Sequence, residues 1–241
     1  MKKYLLLTLI FLSSHLFLVC QAQSQFTGWL GSFNTIKTSK KISIHNDIQL
    51  RSTDELKQIQ TFLFRTGLNY HLNKNIIITA GHAFIRNKKI VGDLYGYTPE
   101  HRIWEQLIVT HKLKTIFVSH RFRIEQRFIG KSVIDGNQIS DGPNYANRFR
   151  YFIRNILPFK KTTEFKKGMF AALQNEVFVN FGNTEAVNGK FFDQNRLYLA
   201  TGYRLSSKAD LEIGYLNQYV NGRGSQFTKN HVLQAAAYLR L

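Results

Sequence analysis

The chain has 241 residues, 33 Lys+Arg against 15 Asp+Glu, a formal net charge of +18 and a single cysteine. A charge of this size first suggests a nucleic-acid partner. The N-terminus argues against one: Lys2 and Lys3 precede an apolar stretch from Tyr4 to Val19, and Cys20-Gln21-Ala22 places small residues at −3 and −1 of a cleavage site after Ala22.

Residues 1–22 are therefore expected to be a signal peptide, and residues 23–241 a single exported domain. The apolar run is short for a retained transmembrane anchor, and Val19 is a poor residue to precede a lipidated Cys20. Removal of residues 1–22 leaves no cysteine, and 31 basic against 15 acidic residues leave a charge of +16. Disulfides then contribute nothing. The expected partners are outer-membrane lipid, lipopolysaccharide phosphate or an anionic solute, with no nucleic acid.

No later segment approaches the ~20 consecutive apolar residues of a membrane-spanning helix. Ile, Val, Phe, Tyr and Thr instead cluster in strand-like segments separated by Asn, Gly, Asp and Lys. In chain order these are 26–36, 40–51, 59–71, 75–86, 100–112, 115–128, 144–157, 168–181, 191–205, 208–220 and 230–241. Short connections lie near Leu72–Lys74, Lys112–Lys114 and Ser206–Ser207, and longer ones cover 87–99, 129–143, 182–190 and 221–229. In outer-membrane barrels short turns face the periplasm and long loops face outward. The connection 158–167 is periplasmic by parity yet ten residues long.

Alternation assigns faces, because the strand period is two. In 116–128, Ile116, Val118, Phe122, Ile124 and Phe128 oppose Ser119, Arg121, Arg123, Glu125 and Arg127. In 168–181, Met169, Ala171, Leu173, Val177, Val179 and Phe181 oppose Gln174, Glu176 and Asn180; in 191–205, Leu197, Leu199, Thr201, Tyr203 and Leu205 oppose Gln194, Arg196, Tyr198 and Arg204. A soluble β-sandwich alternates in the same way. Here, however, 13 of 14 arginines lie within strand segments, whereas eleven of 19 lysines lie at periplasmic connections. Arg suits enclosed bidentate pairing and Lys a wet rim, so an enclosed polar lumen is expected. Tyr95, Tyr97, Tyr145, Tyr203, Tyr219 and Tyr238, near strand ends, fit interfacial girdles. The fold class is all-β, an antiparallel transmembrane β-barrel. Eleven segments conflict with the even number that two periplasmic termini require, so either 26–36 is not a wall strand and there are ten, or one is missed and there are twelve.

The ordered runs Glu100-His101-Arg102-Ile103-Trp104-Glu105-Gln106, Ser119-His120-Arg121-Phe122-Arg123-Ile124-Glu125-Gln126-Arg127-Phe128 and Asn147-Arg148-Phe149-Arg150-Tyr151 resemble the exported outer-membrane barrels grouped as domain of unknown function 2490. Asn175–Asn180, Phe192–Arg196 and Leu211–Tyr215 are similar to that family too, so the resemblance covers essentially the whole mature chain. It implies an outer-membrane location and no established activity. The chain ends in Leu241, where such barrels often carry a Phe for the barrel-assembly machinery; Leu233, Leu239 and Leu241 still share a face, and recognition during insertion is expected.

The main candidate site is a lumen network of Arg65, Arg121, Arg123, Glu125, Arg127, Arg148, Arg150, Arg154, Glu176, Arg196, Arg204 and Glu212. Three glutamates cannot neutralise nine arginines, so the network either binds or passes small anions or simply plugs a narrow barrel. Glu105 shares a face with Ile103, Leu107 and Val109, which predicts a bulge or rim position. Ser43, His45 and Asp47 share another face in the order a hydrolase triad needs, but at ~7 Å spacing they are too far apart without cross-strand help. A lipid-modifying or hydrolytic enzyme is thus the alternative to a non-enzymatic barrel; a structural barrel acting through loops 87–99 and 129–143 is a third reading. The histidines form no His-x-x-x-His or His/Cys cluster, and no metal or cofactor is expected. Asp135-Gly136-Asn137 and Asp141-Gly142 read as turns rather than calcium ligands.

Overall fold

The computed structural model describes residues 22–91, 94–134, 137–138, 144–160 and 164–241. The expected signal peptide, apart from Ala22, and Asp135, Gly136, Asp141 and Gly142 lie outside the described residues.

Eleven long strands close into a barrel: β1 (Ala22–Lys37), β2 (Ile42–Ser52), β3 (Ile59–His71), β4 (Ile76–Val91), β5 (Leu94–Leu113), β6 (Ile116–Ile129), β9 (Asn144–Pro158), β10 (Gly168–Phe181), β11 (Phe192–Ser206), β12 (Ala209–Asn221) and β13 (Phe227–Arg240). Two short strands, β7 (Val133–Ile134) and β8 (Asn137–Gln138), form a flap in which β7 pairs with Gly96 and Tyr97 of β5. Successive wall strands pair antiparallel, and β1 closes on β13 in parallel, from Ala22 opposite Phe227 to Thr35 opposite Arg240.

The expected count of ten or twelve strands and the wholly antiparallel wall are corrected by this seam. Segment 26–36 is a wall strand, and the wall has eleven. An up-and-down meander with an odd number of strands ends pointing the way it began, and a parallel ladder then occupies the backbone groups of both terminal strands without leaving an edge. The N-terminal end of β1 and Leu241 accordingly lie at opposite ends. One end, here the turn end, holds the connections 38–41, 72–75, 114–115, 159–167 and 207–208; the other is the loop end. Pairing between β1 and β2 begins only at Trp29 opposite Arg51. Beyond it, Phe26 N donates to Asp54 Oδ1 (2.7 Å) and Gly28 N to Ser52 Oγ (2.8 Å), so side-chain oxygens replace the missing strand partner.

The expected loop 87–99 is also corrected: β4 and β5 continue as a hairpin until Val91 faces Leu94. Ile90, Val91, Tyr95 and Tyr97 favour strands, and Gly92-Asp93 is a two-residue turn signal that the lysines before it obscured.

Large apolar side chains face outward along the wall, with Leu30 60% and Leu199 53% exposed. No described helix is long and apolar enough to cross a membrane, which says nothing of strands. The inward face is packed. Each wall strand contributes an inward side chain that is at most 8% exposed: Trp29, Asp47, Leu63, Ala83, Trp104, Glu125, Arg148, Phe178, Tyr198, Leu216 and Val232, from β1 round to β13. Trp104 fits because Gly67 and Gly81 stand beside it on β3 and β4; a Cβ there would meet its ring at 2.8 and 2.6 Å. The long connection 159–167 has a use in the same packing. It tucks Phe165 against Phe117 and Phe170, and Arg204 Nη1 donates to the Phe165 carbonyl (2.8 Å).

Candidate functional site

Alternation around the wall turns twelve of the fourteen arginines into the lumen; Arg86 lies exposed over Tyr97, and Arg223 is in a loop. Register then decides which meet. Arg123 on β6 stands opposite Arg150 on β9, and Glu125 stands opposite Arg148. Like charges in that position repel, and Glu125 resolves the conflict. It accepts from Arg148 Nη2 (2.6 Å) and Arg150 Nη1 (2.6 Å), with Arg102 Nη1 at 3.5 Å and Arg123 at 3.9 Å. Glu176 joins Arg121 (2.7 Å) to Arg150 (2.7 Å), and Glu212 holds Arg154.

Four further carboxylates bear on the same set: Asp47, which its strand face already marks as a polar lumen residue, and Glu100, Asp193 and Asp210, which the sequence pattern left unassigned. Asp47 pairs with Arg65 (3.0 Å), Glu100 with Arg102 (2.7 Å) and Arg127 (2.6 Å), Asp193 with Arg148 (3.0 Å), and Asp210 with Arg204 (2.7 Å) and Arg240 (2.8 Å). Parity from the neighbouring strand face would have found Glu100 and Asp210. Asp193 sits where the β10–β11 register shifts and breaks the alternation. Arg51, Arg102 and Arg240 complete the inward arginines.

The network does not fill the lumen. A cavity of about 390 Å3 is lined by Arg51, Arg121, Arg150, Arg154, Arg196, Arg204 and Arg240, against Glu176 and Asp210 as its lining carboxylates. Trp29, Phe33, Phe152 and Tyr238 give it apolar walls. Thr35 and Arg240 also line a second, wider basin of about 1050 Å3 at the turn end, where Lys37, Lys40, Lys41, Lys74 and Lys208 gather. Cations thus run from the mouth into the cavity.

The family model described as protein of unknown function (DUF2490) matches residues 26–229. The chain belongs to this family. An uncharacterized protein of Methylorubrum extorquens is 23% identical over 199 residues, 80% of this chain and 78% of that relative. No solved structure matches the chain.

In this DUF2490 barrel the Ser43, His45 and Asp47 face turns inward, but the three do not meet as a triad. Ser43 Oγ lies 2.8 Å from Nε2 of His71 on β3, whereas His45 Nε2 lies 3.1 Å from Asp47 Oδ2. Asn69 Nδ2 donates to Ser43 Oγ (3.0 Å), and a chain of hydrogen bonds continues through Thr79 and Gln106 to Arg123. Ser43 is 1% exposed and its hydroxyl is engaged by both His71 and Asn69, at the wall of the lysine-rich basin. Two other expectations are corrected. Glu105 lies in unbroken register with Ile124, exposed on the outer face and accepting from Gln126 Nε2 (3.2 Å); the amide on the next strand makes a bulge unnecessary. Tyr238, expected in an interfacial girdle, shares the parity of Gln234 and faces inward, stacked on Phe33 at 5.0 Å. Among the described residues no group of three or more His, Cys, Asp or Glu could hold a metal ion.

Proposed function

We propose that the chain is an outer-membrane barrel that receives small anionic solutes in a one-ended lumen cavity and does not conduct. The apolar outer face, the sequence's export signal and the closure of the eleven-stranded wall support the membrane assignment. With short turns facing the periplasm, the lysine-rich basin is the periplasmic mouth. The observation that carries the reading is the cavity itself: seven arginines against two carboxylates, in a lumen to which every wall strand contributes a side chain at most 8% exposed. A water-filled channel needs a lumen that side chains leave open, as in much wider barrels. A blind basic cavity concentrates anions without passing them.

The test is refolding of residues 23–241 in detergent, with heat-dependent gel mobility as the sign of a closed barrel. Planar-bilayer recording and calorimetric titration with phenyl phosphate follow on the same sample. We expect no steady conductance and one bound anion per barrel, weakened by added salt. A stable anion-selective current, or no anion binding by the folded barrel, overturns the proposal.

A further inference from the structure

Ten of the twelve inward arginines have a carboxylate within 4.0 Å: Arg65, Arg102, Arg121, Arg123, Arg127, Arg148, Arg150, Arg154, Arg204 and Arg240. Among the described residues Arg51 and Arg196 have none. Both stack on the same indole, Arg51 Cζ at 4.0 Å and Arg196 Cζ at 5.0 Å from the Trp29 ring centroid. Arg51 Nη2 donates to Gln49 Oε1 (2.9 Å) and Arg196 Nε to Gln194 Oε1 (3.1 Å). A guanidinium carries five N–H donors, so most of this capacity is unused; Arg51 Nε is buried without a partner. Two cations brought to one indole in a space that restricts water repel each other, and Glu176, which stands opposite Arg196, gives its carboxylate to Arg121 and Arg150 instead.

We propose that Arg51 and Arg196, held by Trp29, are the anion-binding site at the inner end of the cavity. The ligand is an organic anion, with a phosphate or carboxylate head between the two guanidiniums and an apolar body against Phe33, Phe152 and Tyr238. Three observations support this assignment. Both arginines line the cavity, and so do the three aromatic residues. Arg51 is the penultimate residue of β2, which runs away from the turn end, whereas Arg240 ends β13 at the mouth. The paired arginines near the mouth, Arg204 and Arg240, share Asp210, which leaves the uncompensated charge deep inside. Planar guanidiniums suit two-oxygen heads, and aromatic walls suit a flat or alkyl body.

This site rests on the receptacle reading above. Its test is calorimetric titration of the detergent-refolded barrel with phenyl phosphate, benzoate, phenol, inorganic phosphate and dihexanoyl phosphatidic acid. Phenyl phosphate and benzoate are expected to bind one per barrel, with phenol and inorganic phosphate at least about tenfold weaker. Tighter binding of the phosphatidic acid than of phenyl phosphate would mark a lipid headgroup as the source of the anion, and the reverse a soluble one. Arg51→Gln and Arg196→Gln should each weaken phenyl phosphate about tenfold, and Arg223→Gln, in a loop, should leave it unchanged. Quenching of Trp29 fluorescence by phenyl phosphate in a Trp104→Phe background gives a readout that does not require an arginine variant to fold. Unchanged affinity in folded Arg51→Gln and Arg196→Gln, or an unaltered Trp29 signal on binding, overturns the site while leaving an anion receptacle in place. Absence of any binding by the wild-type barrel overturns both.

Discussion

Glu125 shows how much of the lumen depends on single charges. Its carboxylate is fully buried and serves Arg148, Arg150 and Arg102 at once. Removing one partner of a buried ion pair leaves an uncompensated charge, which typically costs about 3–5 kcal/mol, far more than the pair's net contribution. Glu125→Gln keeps the shape and turns an acceptor of three guanidiniums into an amide that also donates. We expect that loss in a urea titration of the refolded barrel. Loss of the exposed pair between Lys57 and Glu55 through Lys57→Ala should produce no measurable change. A Glu125→Gln barrel as stable as wild type would mean that water or a bound anion already shares the charge. Alternation along β6 is enough to mark Glu125 as a lumen residue. Asp193 escapes the same rule, because the register shift beside it is set by the pairing of β10 with β11, on which a single strand's period carries no information.

At the scale of strands, alternation and turn residues placed all eleven wall segments, with ends displaced by at most two residues except at β1, β4, β5 and β13. What they could not supply was the direction of closure. Pairing partners far apart in sequence leave no local mark, and an even count was a rule about termini rather than a property of residues 26–36. The seam has a direct test, since the chain after Ala22 lacks cysteine. In a parallel pair both strands advance together: Leu30 faces Ala235, and Asn34 faces Leu239. Leu30→Cys with Ala235→Cys, and Asn34→Cys with Leu239→Cys, should therefore each oxidise to an intramolecular disulfide in the folded barrel. Leu30→Cys with Leu239→Cys should not. An antiparallel seam in register for the first pair would set Asn34 opposite His231 and leave Asn34→Cys with Leu239→Cys unjoined, so formation of both disulfides marks the parallel seam.

For the whole molecule, the odd strand number separates the termini. β1 descends from the loop end, β13 descends beside it, and Leu241 N donates to the Thr35 carbonyl (2.8 Å) at the turn end. That end also carries the lysines of the basin, with Arg240 anchored on Asp210. In an inserted barrel the bilayer lies between the two termini, so an added protease reaches one of them in a sealed vesicle. A refolded barrel carrying one cleavable tag before Gln23 and another after Leu241 should lose either tag, according to its orientation, and no molecule should lose both until detergent opens the vesicles. An even-stranded wall would put both tags on the same side, giving molecules that lose two tags or none. The cleavage pattern therefore reads strand parity in the membrane itself, independently of whether the lumen holds an anion.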